Sequence, residues 1–86
     1  MNRLCINKVL EKMNSLQRLS DKYTDRAWDL EKENKSAQAD RYDSKADMID
    51  EQIKGIEFTL RTLGLGVWRT REGEWVIPTD DIIRAT

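Results

Sequence analysis

Two stretches of this chain repeat apolar residues at intervals of three and four, and their numbers mirror one another. Ile6, Val9, Met13, Leu16, Ser20, Tyr23, Ala27 and Leu30 form one series, with Ser20 its single polar member; Ala39, Tyr42, Ala46, Ile49, Ile53, Ile56, Leu60 and Leu63 form the other. Each series is one face of an α-helix. Paired head to tail, from Leu30 with Ala39 to Ile6 with Leu63, the residue numbers always add to 69. That constancy is what two helices folded back about residues 34 and 35 require. If Ile6 and Ala39 are each heptad position a, every pair joins an a to a d, the contact of an antiparallel coiled coil.

The spacing predicts helices over about 2–33 and 36–62 in a single domain covering residues 1–86. An unbroken helix would carry the first stripe on to positions 34, 37 and 41, where Asn34, Ala37 and Arg41 stand. The stripe is lost there, which favours a turn over a continuous helix with a stutter. Lys32-Glu33-Asn34-Lys35-Ser36 contains no Gly or Pro, so Asn34 and Ser36 are its best capping residues. Side-chain sizes fit the same register, with Ala27 expected opposite Tyr42 and Tyr23 opposite Ala46.

Beyond Leu63, Gly64-Leu65-Gly66 ends the helical pattern, and Val67 to Ile77 reads as a β-hairpin around Arg71-Glu72-Gly73. A two-residue Glu72-Gly73 turn places Trp68, Thr70, Trp75 and Ile77 on one face, although Glu72 would then need positive φ. A three-residue loop with Gly73 left-handed shifts that register. Gathering both tryptophans on one face favours the first. Pro78 closes the strand, and Thr79-Asp80-Asp81 can cap a short helical turn over 79–84 through Ile82 and Ile83. The expected fold is mainly α: an antiparallel two-helix coiled-coil hairpin followed by a small C-terminal β-hairpin. A lone β-hairpin is marginal, so it should rest on the open end of the helices, where Leu4, Cys5, Leu10, Phe58 and Leu65 would build a second small core.

Composition narrows the function. The 86 residues hold 15 basic and 16 acidic side chains, a net charge of −1, so no global field recommends nucleic acid or an anionic membrane. One cysteine and no histidine exclude an intrachain disulfide, a histidine-bearing zinc site and a Cys-His nucleophile. The first ten residues lack a signal-peptide apolar run, and no window has the roughly 20 apolar residues of a membrane span. A cytoplasmic protein without metal or cofactor is expected. No phosphate loop or nucleophile elbow occurs, so an enzyme is not expected.

Candidate contact residues are what the seam does not use. Trp28 lies on an outer face and suits a partner anchor, and Met48 adds apolar surface. Self-association into a four-helix bundle would cover Leu10, Leu19, Trp28 and Met48, so a homodimer is expected. Asp21, Asp25 and Asp29 recur every four residues, and Asp40, Asp43, Asp47 and Asp50 line the second helix. Residues 21–50 carry nine acids against six bases, so the acidic side lies towards the tip. These carboxylates could engage a basic partner or simply pair with Lys22, Arg26, Arg41, Lys45 and Lys54 along the helices. A rival reading uses Arg69, Arg71 and Arg61 of the β-hairpin region to bind nucleic acid. Cys5 reads as a packing residue, and Ser20 either fixes the register of the helices or, the reading preferred, bonds to a carbonyl one turn earlier. Small, charged, ligandless chains of this kind resemble accessory proteins of phages and mobile elements, including inhibitors of host defence nucleases such as anti-CRISPR proteins. The likeness is one of size and composition, and it implies a non-catalytic interaction module that inhibits a host protein.

Overall fold

Helix α1 spans Arg3–Lys32 and α2 spans Ser36–Thr62, followed by strands β1, Trp68–Arg69, and β2, Trp75–Val76. The computed structural model describes residues 3–78, 80 and 81. Both helices end through a left-handed residue. Asn34 has φ 60°; its N–H donates to the Glu31 carbonyl at 3.0 Å, and the Lys35 N–H donates to the Leu30 carbonyl at 2.9 Å. Gly64, φ 86°, repeats the pattern: its own N–H reaches Arg61 and that of Leu65 reaches Leu60. This paired bonding satisfies carbonyls that a helix end would otherwise leave open. Asn supports the left-handed conformation because its side chain bonds locally, so the tip needs no glycine. Ser36, expected as a cap, is instead the first residue of α2; Lys35 occupies the cap position and makes no side-chain bond there.

The seam is buried along nearly its whole length. Ile6, Met13, Leu16, Ala27 and Leu30 of α1 and Ala39, Ala46, Ile49, Ile53 and Leu60 of α2 are buried, with Val9, Tyr23, Tyr42 and Ile56 half-buried. Two departures are instructive. Leu63 is 51% exposed, and the core around Ile6 is closed by Leu65 and Val67, which follow the turn at Gly64. Ser20 does not bond back along its own helix; its hydroxyl donates across the seam to Asp50 Oδ1 at 2.6 Å. Tyr42 packs on the buried cluster of Ala27, Leu30 and Ala39, and its ring also meets that of Tyr23, with centroids 5.8 Å apart. The three seam alanines lie buried beside them.

The β-hairpin adopts the three-residue loop. Trp68 pairs with Val76 and Arg69 with Trp75, while the Thr70 N–H donates to the Glu74 carbonyl at 2.7 Å. Gly73 takes φ 89°, and its N–H donates to the Thr70 carbonyl. Positive φ thus falls on glycine, not on Glu72, and that backbone preference outweighs gathering the tryptophans. A one-residue shift reverses a strand's faces. Val67, Trp75 and Ile77 therefore turn inward, and Trp68 is 52% exposed.

The hairpin does not form a separate core at the open end. Leu65, Val67, Trp75 and Ile77 join the main core with Ile6, Met13 and Leu60, while Leu4, Cys5 and Phe58 stay exposed. Two side chains of α1 hold the hairpin. Asn14 exchanges two hydrogen bonds with the Trp75 backbone, and Gln17 Oε1 accepts the Trp75 indole N–H at 3.1 Å. Asp80 and Asp81 are helical, and Asp81 Oδ2 accepts the Gly66 N–H; the remainder of the turn expected over 79–84 lies outside the described residues.

Candidate functional site

The hairpin divides the helical pair into two unlike flanks. On its own flank, Asn14, Asp21 and Trp28 step along α1 by seven, and Asp47, Lys54 and Arg61 do the same along α2. Here a groove of about 650 Å³ is lined by Asp21, Asp47, Asp50, Glu51 and Glu57, with Lys54 and Arg69 as its only cations among the described residues. Gln17 and Ser20, both buried, donate to Asp21 and Asp50 and hold those carboxylates in place.

The arginines of the nucleic-acid reading do not form a basic ribbon. Arg61 is paired with Glu57 at 3.0 Å and donates to the Val67 carbonyl at 2.9 Å. The Arg69 guanidinium lies 5.6 Å from the Trp75 ring centroid and edges the acidic groove. Arg71 is exposed in the loop. Arg61 therefore ties α2 to the start of the hairpin, and Arg69 braces the hairpin internally.

The opposite flank is open. Val9, Leu16 and Tyr23 step along it by seven, as do Lys12, Leu19 and Arg26; on α2 the steps are Lys45, Gln52, Thr59 and Arg41, Met48, Gly55. Between them runs a groove of about 410 Å³, lined by Val9, Leu16, Ile56 and Leu60 with Gln52, Gly55, Thr59 and a single charged residue, Lys12. Towards the tip a second groove of about 490 Å³ lies against Lys22, Tyr23, Asp25, Arg26, Asp29 and Tyr42. The Lys45 ammonium stands 5.7 Å and 5.1 Å from the centroids of the two tyrosine rings, within reach of a cation–π attraction. Leu19 is exposed on this flank, and Met48 is 68% exposed.

The fold thus divides the candidate contact residues between the two flanks. Asp21 and Asp47 share the acidic groove, with Asp43 one turn before Asp47 and Trp28, 63% exposed, two turns beyond Asp21. Asp25 and Asp29 border the tyrosine groove on the other side, and Met48 belongs to the open flank. The expected pairing of aspartates with Lys22, Arg26, Arg41 and Lys45 does not occur among the described residues; Lys54 pairs with Glu51. Asn14 and Gln17 escape a reading of apolar periodicity. Their signal was two amides three residues apart beside the seam, one of them an asparagine inside a long helix, where it is a poor helix former.

No helix among the described residues is long and apolar enough to cross a membrane, and no group of three or more potential metal ligands occurs among them. No protein-family model, curated protein or solved structure matches the chain.

Proposed function

We propose that the chain is a non-catalytic protein-interaction module that receives a helical segment of another protein on its open flank. The observation that carries this reading is the groove floored by Val9, Leu16, Ile56 and Leu60, which the β-hairpin leaves uncovered. Grooves of this form accept the apolar face of an amphipathic helix. Gly55 supports the reading. A glycine inside a helix costs about 1 kcal/mol relative to alanine, and a Cβ added at Gly55 would meet nothing within 4 Å. Packing within the chain gives no reason for it, whereas close approach by a partner does.

Self-association, expected from apolar surface alone, is disfavoured on this flank. Two copies meeting open flank to open flank would bring together two faces on which Lys12, Lys22, Arg26 and Lys45 outnumber Asp25 and Asp29, and like charges in an interface are costly. Trp28 supports a second contact, on the acidic flank, for a basic partner.

A pull-down from cells of the native host separates the two surfaces, using full-length wild type, Leu19→Ser/Met48→Ser and Trp28→Ala. The double variant should lose the partner that wild type enriches, while Trp28→Ala keeps it. Recovery of that partner by the double variant would remove the open flank from the site.

A further inference from the structure

Building on the open flank as the docking face, we infer that its partner is an acidic amphipathic helix, with an apolar stripe for the groove and carboxylates along both edges. Charge is segregated across the helical pair. The flank under the hairpin gathers carboxylates, whereas on the open flank Lys12 is the one charged residue lining the apolar groove, Lys22 and Arg26 line the tyrosine groove beyond it, Lys45 stands over the two tyrosine rings, and Arg41 falls on the helical stripe of Met48. None of these five forms an ion pair among the described residues. Cations beside an apolar strip that lack an internal counter-ion are complementary to a ligand that supplies both carboxylates and apolar surface. Lys45 is also positioned, by the two tyrosine rings beneath it. Asp25 and Asp29 are the counter-charges at this end, on the rim of the tyrosine groove.

The spacing sets the ligand's length. From Lys12 to Arg26 a helix rises about 21 Å at ~1.5 Å per residue, so the partner needs about four turns, with apolar anchors at i, i+4, i+7 and i+11. A nucleic acid would match the cations but leave the apolar floor unused, and the acidic opposite flank would repel it.

Anisotropy titrations of the full-length protein with labelled probes test the inference. The first probe is a peptide of about 15 residues with leucines at those four positions and glutamates on both sides. The second replaces the glutamates with lysines, the third replaces the leucines with serines, and the fourth is single-stranded DNA. The first should bind at least about tenfold more tightly than the others, and more tightly still as salt is lowered. Lys12→Glu/Arg26→Glu should weaken it about tenfold and Lys12→Gln/Arg26→Gln by less, both with wild-type thermal melts because both side chains are exposed. Equal binding of the first two peptides would overturn the acidic partner while leaving the docking face in place. Failure of both leucine peptides would overturn the face as well. Equal binding of the serine peptide, or tighter binding of DNA that Lys12→Glu/Arg26→Glu abolishes, would overturn the amphipathic helix.

Discussion

The side-chain amide of Asn14 binds both backbone groups of Trp75: Nδ2 donates to its carbonyl at 3.0 Å, and Oδ1 accepts its N–H at 2.7 Å. Helix α1 thereby pairs with the outer edge of β2 as a neighbouring strand would. Asn14→Leu leaves both groups without that partner, and at about 1–3 kcal/mol per unsatisfied group, moderated by partial exposure, we expect a loss of about 2–3 kcal/mol. Asn14→Asp keeps the acceptor and should fall between. Urea unfolding followed by circular dichroism reads the difference, and a Leu variant as stable as wild type would show that the clamp contributes nothing.

Gly73 and Gly55 should respond to alanine with opposite signs. At Gly73 the φ of 89° is left-handed and an added Cβ would lie 3.3 Å from Arg69 Nη2, so Gly73→Ala should cost about 1–2 kcal/mol. At Gly55 the helix interior has open space, so Gly55→Ala should gain about 0.5–1 kcal/mol. Thermal melts of the two variants give the comparison directly.

Asn34 tests the tip. Replacing it by valine at φ 60° should cost about 1–2 kcal/mol, while Asn34→Gly should be neutral or stabilising by up to about 1 kcal/mol. A valine variant that melts with wild type would mean that the turn tolerates another geometry.

Ser20→Ala removes the hydroxyl that bonds Asp50 across the seam, at an expected cost of about 1 kcal/mol. Asp50→Asn retains an oxygen acceptor and should cost less. Chemical denaturation of both variants checks this order, and the reverse order would remove the bond from the account of helix register.

The helical hairpin was legible because a period of three and four residues reports a buried face wherever it runs, and a mirrored pair of such faces leaves one antiparallel register. Legibility failed where backbone and side-chain geometry competed. Leu63 fits the period, yet the turn at Gly64 passes its place to Leu65. In the β-hairpin, clustering Trp68 with Trp75 pulled towards one register and the positive φ available only to Gly73 imposed the other. The segregation of charge was hidden for a different reason. Asp21 and Lys22 are adjacent in sequence but separated by about 100° around a helix, so counting charges along the chain finds the acidic tip but not the sorting of charge between the two flanks.

The clamp between Asn14 and Trp75 joins residues 61 positions apart. Every seam contact, by contrast, can grow outward from the tip, each pair shortening the loop that the next must close. From this separation we expect the helices to zip first and the β-hairpin to find its seat only once α1 is in place to offer it. In the native molecule the same order should run backwards: in native-state hydrogen exchange the amides of β1 and β2 should exchange through an opening that leaves the tip half of the helical pair intact, and protection equal to that of the tip half would refute this order.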